Sequence, residues 1–350
     1  MPSAAWISGD FHESDGKLQP NGCAWYRLVL PSREVQKRGW ETGVGMPRVH
    51  PEQGLGLAHE DGMLVGWDVS VLKLLMHESV PDMIRLMRRR GERVIVDVDD
   101  FHYGLDPENV AYHSTNPHAN PSSNRAFYEI GIRQADTVTV STDFLADFYS
   151  RRVRDVRVIR NGVDAERFHI VEQPEAPTFG WVGATWWRSG DIELLGEWLP
   201  EFVKDHAVKV HHAGHIPNDP KHFAVRAGLR RVSTRLMCTI VDYPRLLQDF
   251  HVGLVPLNRR PFNEAKSFLK GLEYAAAGIP FIATPTEEYR ILHESGVGRL
   301  AETPDEWRDH ATELLDPQVR REEAERQREI VERVWHVRER GPQWAIALHG

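Results

Sequence analysis

The sequence predicts an α/β protein made of two αβα domains, each a parallel sheet with helices on both faces. Three observations predict it. The 350 residues exceed one ordinary hydrophobic core and suit two domains of roughly 150 residues with connections. Short β-branched runs alternate with amphipathic stretches along most of the chain, the pattern of parallel strands joined by crossover helices. The alternation is interrupted at His169–Pro177, a stretch with two prolines and two glutamates, and restarts at once with the apolar run from Phe179 to Val182.

In the first half, strands are expected at Ala4–Ser8, Val69–Met76, Arg93–Val98, Thr137–Ser141 and Val156–Ile159. Helices are expected near Tyr26–Arg38, Val80–Arg90, Pro121–Gln134 and Thr142–Tyr149. This defines an N-terminal domain over 1–168 and a linker over 169–177. The second domain, 178–316, is expected to carry strands at Phe179–Val182, Val208–His212, Cys238–Val241, Val252–Val255, Pro280–Ala283 and Gly298–Ala301. From Pro317 to Arg340 the chain is highly charged, with Ile330, Val331, Val334 and Val337 at helical spacing. One long amphipathic helix is expected there, with residues 317–350 returning to pack on the N-terminal domain.

Hydrophobic residues make up 41% and charged residues 27%, a globular composition, and no apolar run approaches the roughly 20 residues that span a bilayer. The start MPSAAWISGDF lacks the basic and apolar regions of a secretory signal, so a cytoplasmic location is expected. Cys23 and Cys238 stand far apart without CxxC companions, which argues against a disulfide framework or a zinc site. The net charge of −8 argues against tight non-specific nucleic-acid binding. Two local clusters run the other way: Arg85, Arg88, Arg89, Arg90 and Arg93, then Arg151, Arg152, Arg154, Arg157 and Arg160. They read as solvated faces, or as phosphate contacts.

Ligands of open parallel sheets bind beyond the carboxyl ends of the strands, so site residues are expected in the loops there. After the first strand, a polar loop passes through Asn21 and Gly22 into the helix bearing Trp25, Tyr26 and Arg27. A helix start beside a glycine can receive a phosphate, or it can be a plain loop. The third strand ends in VDVDDFHY, presenting Asp97, Asp99 and Asp100. Such carboxylates can hold a divalent metal, position an acceptor hydroxyl and take its proton, or serve structure alone. Alternation along the strand puts Asp97 and Asp99 on one face and Asp100 on the other. Farther on, Lys266, Ser267 and Lys270 gather at the start of an expected helix whose Leu269, Leu272 and Ala276 can face the sheet. Amides, a hydroxyl and two lysines suit a diphosphate, and Glu273, about one turn after Leu269, can accept hydrogen bonds from a ribose diol. An ordinary charged surface helix has the same residues.

Several segments resemble one family. IRNGVDAERF, ending at Phe168, is similar to the I-x-N-G-V-D-x-x-x-F segment that closes the N-terminal domain in the retaining group 1 glycosyltransferases, family 4, of GT-B fold. FGWVG at 179–183 resembles the first strand and glycine loop of that family's donor domain, with Arg188 in the place of a phosphate-contacting residue. His212-Ala213-Gly214 resembles the end of the next strand, and the stretch from Asp242 through DFHVGLVPL resembles the strand pair flanking the nucleotide base. K-S-x-x-K-x-x-E-Y-A-A-x-G-x-P, from Lys266 to Pro280, is similar to the family's donor loop. GCAWYRLVLP and DVDDF also look like phage-type members.

The resemblance implies two Rossmann-like αβα domains facing each other across a cleft, with a C-terminal helix crossing back. It implies transfer of a sugar from a nucleoside diphosphate sugar, a UDP-sugar first among them, to a hydroxyl with retention and without a required metal or other cofactor. Gly22, Arg188, Lys266, Ser267, Lys270 and Glu273 would bind the donor, and Asp99, Asp100 and Lys270 would carry catalysis. The acceptor of a phage-type enzyme would be a hydroxymethylated pyrimidine in DNA, a hydroxyl on a virion protein, or a glycan; a phage-encoded enzyme would work in the host cytoplasm. One departure stands out. The family's first glutamate, eight positions before Glu273, is replaced by Ala265, with Glu264 beside it. Competing readings are an inactive sugar-nucleotide or nucleic-acid-binding protein on the same fold, and a metal-dependent transferase using Asp97-Val98-Asp99 as a DxD motif. A dinucleotide-dependent dehydrogenase is disfavoured, because residues 7–24 lack G-x-G-x-x-G spacing.

Overall fold

The computed structural model describes all residues except 15, 51, 60–61, 188–189 and 216–221. Its β-branched runs assemble into two six-stranded parallel sheets, one in each of two units. The first unit comprises Met1–Gly162, Ala265–Ser267 and Val337–Gly350; the second comprises Val163–Glu264 and Phe268–His336.

In the first unit the strand order is Val156–Val158, Thr137–Val140, Arg93–Val98, Val69–Lys73, Ser3–Ser8, Glu41–Gly45. The register sets Lys73 beside Asp97 and Asp97 beside Thr139. Because neighbours in register point to the same face of a sheet, three polar side chains line up across three central strands. They share the face on which Trp6, Leu28, Val71 and Ile95 pack with Trp344, Ala347 and Leu348. The opposite face buries Ile7, Leu72, Val96, Val98 and Val140.

The helix after the first loop runs from Gly22 to Gln36, with its turn Trp25–Val29 widened into a π-helix. Pro31 has no N–H to return to the Arg27 carbonyl, and the Leu30 N–H reaches back to Trp25 O instead, which is how the helix passes the proline. Short antiparallel pieces were not legible in the sequence: the hairpin Phe11–Ser14 with Lys17–Pro20, and the three strands Pro47–His50, Gly54–His59 and Gly62–Leu64.

The second unit's order is Ser233–Leu236, Lys209–His215, Thr178–Val182, Val252–Val255, Phe281–Ala283, Arg299–Leu300. The edge strand lies earlier than the expected Cys238–Val241, which is a loop with Cys238 exposed. Glycine governs how tightly this sheet is covered. A Cβ built on Gly180 would lie 2.1 Å from the Phe250 ring, and one on Gly253 would lie 2.5 Å from that of Tyr274. Phe250 and Tyr274 are fully buried and have nowhere to retreat. Gly180→Ala is therefore expected to destabilise the protein by about 1–3 kcal/mol, the usual cost of overpacking, read as a lower midpoint in chemical denaturation.

The C-terminal stretch differs from the single helix expected. Pro317–Ile330 is α-helical, Val331–Trp335 is a π-turn, and His336 is extended, followed by a short 3₁₀ turn and the helix Gly341–His349. The break has a partner: the Val163 N–H donates to Trp335 O at 3.1 Å, and Val163 pairs with His336 as an isolated parallel bridge. The same pairing puts the start of the second unit at Val163, ahead of residues 169–177, which hold neither helix nor strand. Among the described residues, no helix is long and apolar enough to cross a membrane.

Candidate functional site

At the strand ends of the first unit, the three neighbouring aspartates separate into three roles. Asp97, the next-to-last residue of its strand, is fully buried. Arg27 meets it with two bonds, Nε to Oδ2 at 3.0 Å and Nη2 to Oδ1 at 2.6 Å, and the Thr139 hydroxyl donates to Oδ1 at 2.7 Å. Both oxygens are engaged, so Asp97 is a structural anion, and the DxD reading loses its first carboxylate. Asp99 is ion-paired with Lys73, whose Nζ also stands 3.9 Å from Asp97. Asp100 is the most open of the three, its side chain 31% exposed, and pairs with Lys266 at 3.4 Å.

Burial works against the charges on Arg27 and Lys73, but the carboxylates of Asp97 and Asp99 outweigh it and raise both pKa values above their ordinary positions. The two cations thus stay charged in a dry environment. Burial, assisted by Asp99, pushes the Cys23 thiol well up and keeps it protonated. The Cys23 sulfur and carboxylate oxygens of Asp99 and Asp100 lie within 4.8 Å of one another. Lys73 and Lys266 already balance those carboxylates, so the cluster is charge-compensated from within. Burial is also the main influence on His102, holding its pKa below the usual histidine range against the pull of Asp100 and Asp99.

From Arg27 the network continues. Its Nη1 donates to Ile159 O at 2.5 Å and to Asn161 Oδ1 at 3.2 Å, and Asn161 Nδ2 donates to Ser267 Oγ at 2.8 Å. Asn161 belongs to the Asn-Gly pair near the start of the family-like segment, so this segment positions Ser267. Gly22 opens its helix as expected, but Asp10 has already taken the helix start: its carboxylate accepts from the Ala24 N–H at 2.7 Å and from Asn21 Nδ2 at 3.1 Å. An added Cβ at Gly22 would meet nothing within 4 Å.

In the second unit, Lys270 and Glu273 ride on the helix Leu269–Ala276, which begins after Lys266 and Ser267. Its Leu272 and Ala276 are buried, and its N-cap residue Phe268 supplies no side-chain cap. The Lys270 ammonium stands 4.8 Å from the centre of the Trp181 ring and donates to Val182 O. It faces the glycine loop: Gly183 has φ +147°, and a Cβ there would lie 3.3 Å from Lys270 Nζ. Gly214, at φ +100°, passes so near the Gly183 backbone that its own Cβ would lie 3.1 Å away. Two successive strand ends therefore need glycine, for conformation and for room. Glu273 is buried, and Tyr243 Oη donates to its Oε2 at 2.7 Å. Arg188 lies outside the described residues.

The missing glutamate has a structural account. Ala265 is fully buried in the first unit's core, and its carbonyl accepts from Thr142 Oγ1 at 3.2 Å. A glutamate at 265 would have to bury its carboxylate there. Glu264 is held by Arg259, Nε to Oε1 at 2.5 Å.

Four of the five arginines in each cluster are paired with acids. Arg85 meets Asp82, Arg88 meets Asp136, Arg90 meets Glu92 and Arg93 meets Asp155. In the second cluster Arg151 meets Asp147, Arg152 meets Glu129, Arg157 meets Asp155 and Arg160 meets Asp143. Arg27 and Lys73 escaped the sequence reading as site-shaping residues. Their signal was a basic side chain inside an apolar run, WYRLV and VLKLL, which a core admits only with a paired acid.

Two six-stranded parallel sheets with glycine loops at their strand ends give this protein an α/β fold of the GT-B class. Residues 176–317 match the family model described as Glycosyl transferases group 1. No curated protein matches the chain in sequence. Among solved structures, Anabaena HepE in complex with UDP aligns over 100% of both chains at TM-score 0.65 and 14% identity. An alpha-glucosyltransferase in complex with UDP and a 13-mer DNA containing a HMU base aligns over 99% of both chains at TM-score 0.62 and 12% identity. TarM aligns over 81% of this chain and 55% of its own at TM-score 0.58 and 15% identity; another structure of it is described as a S. aureus mutant with UDP. Identities this low speak for the fold alone.

Proposed function

We propose that the protein is a glycosyltransferase that moves a sugar from a nucleoside diphosphate sugar, a UDP-sugar foremost, to a hydroxyl acceptor with retention. The observation that carries this reading is the pair Lys270 and Glu273 on one short helix, inside the segment that matches group 1 glycosyl transferases. Glu273 has a carboxylate oriented by Tyr243 to accept from a ribose diol. Lys270, beside the glycine loop and an uncapped helix start, supplies positive charge for the leaving diphosphate, and Lys266 and Ser267 add a cation and a hydroxyl. The family resemblance adds Arg188 to the donor set, whereas the helix start at Gly22 is already taken by Asp10. Complexes of HepE and of the alpha-glucosyltransferase with UDP support the choice of base. The reaction is placed in the cytoplasm and needs no metal under this reading.

The acceptor is assigned to the first unit, with Asp100 and Asp99 ordering its hydroxyl. Full transfer by Asp100→Ala would remove that role from Asp100, and the same holds for Asp99→Ala. The DNA-bound relative supports a hydroxymethylated pyrimidine as acceptor, whereas the acid-paired arginines favour a protein hydroxyl. Mass spectrometry of modified DNA and of modified protein separates the two.

Donor choice is tested by thermal shift against UDP-, GDP-, ADP- and TDP-sugars. A ligand at a hundred times its Kd should stabilise the fold by about 2.7 kcal/mol, so the true donor raises Tm and the others do not. A chain that responds to none of them loses the donor assignment.

A further inference from the structure

Arg125 lies outside both arginine clusters and is held differently from their members. It opens the helix Arg125–Gln134, and its guanidinium carbon stands 5.6 Å from the ring centre of Tyr103 and 5.6 Å from that of Tyr112. We propose that Arg125, Tyr103 and Tyr112 form a binding site for a phosphate group, a phosphodiester of the acceptor foremost. Its part in the acceptor step rests on the assignment of the acceptor to the first unit; the phosphate site itself does not.

Three observations, all within the first unit, carry it. Among the described residues no carboxylate pairs with Arg125 and no oxygen accepts from its guanidinium, although Glu129 stands at the i+4 position where helical ion pairs form. Buried Glu129 instead takes Arg133 at 3.1 Å and Arg152 at 3.4 Å, so its charge is already balanced. Next, Arg125 is the first residue of a ten-residue helix whose cap is uncharged: Asn124 accepts from the Ala126 N–H at 2.9 Å. The field of that helix end disfavours a cation, a penalty that an incoming anion would relieve. Finally, Tyr103, 42% exposed, comes from the turn His102–Gly104, three residues after Asp100, and Tyr112 from the helix Val110–Thr115. Neither phenol hydroxyl has a hydrogen-bond partner among the described residues. The rings hold the guanidinium without neutralising it and leave its N–H donors for a ligand. A carboxylate would be satisfied by the guanidinium fork alone, whereas a phosphate has further oxygens for the two hydroxyls to meet.

The test uses the full chain and the fluorescence anisotropy of a short labelled oligothymidylate, since exposed tyrosines beside a cation also suit an unstacked base. Its methylphosphonate analogue, with a neutral backbone, and inorganic phosphate are the other probes. The wild-type chain should bind the phosphodiester and not the methylphosphonate. Arg125→Gln should weaken that binding by about ten- to a hundredfold and lower the slope of log K against log salt by about 0.7. Arg125→Lys, which keeps the charge without the fork, should keep the slope and lose affinity. Arg154→Gln removes the same charge from an exposed position and should change little. If the oligonucleotide does not bind but inorganic phosphate raises the Tm of the wild type and not of Arg125→Gln, the site stands with free phosphate as its source, and the acceptor role falls. Binding of none of the probes overturns the inference, as do equal binding of the methylphosphonate or equal losses in Arg125→Gln and Arg154→Gln. The nucleotide-sugar thermal shift tests the transferase reading separately: a chain that responds to a donor but shows none of these effects loses only this inference, and one that binds phosphate here but responds to no donor loses only the transferase reading.

Discussion

Lys270→Ala should lower kcat/KM by about a hundred- to a thousandfold, the usual loss when one preorganised electrostatic group facing the leaving charge is removed. Lys270 lies against the Gly183 loop and above the Trp181 ring, so a diphosphate seated at this loop would lie beside its ammonium. The fold should hardly notice. The ammonium–ring contact contributes about 0.5–1 kcal/mol at a partly exposed site, and the buried face of the helix, Leu272 and Ala276, is untouched. Steady-state kinetics alongside a thermal melt checks both halves. A variant with wild-type turnover would end the leaving-group role of Lys270, and one that simply unfolds would be read through Lys270→Gln, which keeps the stem without the charge.

The second large effect is on stability. Arg27→Ala leaves the Asp97 carboxylate in the core with only Thr139 and a more distant Lys73, and breaking a buried pair in this way costs about 3–5 kcal/mol. At about 2–4 °C per kcal/mol for domains of this size, the unfolding transition of the first unit should fall by about 6–20 °C. The guanidinium also sits 5.2 Å from the centre of the Trp344 ring, so part of the loss is packing. The double replacement Arg27→Met with Asp97→Leu should recover much of it, since the desolvation of both charges disappears together. A single variant within about 1 kcal/mol of wild type would show that the pair is not holding the core.

Both effects fall where the sequence was only partly legible. The parallel architecture could be read because period and length agree along strands such as Arg93–Val98 and Val252–Val255, whose side chains are buried on both faces. The edge strands could not: Glu41–Gly45 contains two glycines, and Ser233–Leu236 is largely exposed, so neither shows an apolar run. In the donor helix, Lys270 and Glu273 were legible because their spacing is local. The split among Asp97, Asp99 and Asp100 was not, because it depends on Arg27, Lys73 and Lys266, which approach from 70, 26 and 166 positions away. Alternation could assign a face to each carboxylate; partners, and hence charge and freedom, are set by tertiary structure.

The discontinuity of the first unit bears on how the protein comes into being. Trp344, Ala347 and Leu348 complete a face of its core against Trp6, Leu28 and Val71, yet they follow the whole second unit in sequence. On the ribosome, where domains generally fold as they emerge, residues 1–162 leave before the second unit and must wait with that apolar face uncovered until residues 341–350 have been made. A premature stop after Arg340 would release a chain with every proposed donor-site and acceptor-site residue present and this sheet face still bare. Such a product would be a client for chaperones, and its vulnerability would be set by the timing of synthesis.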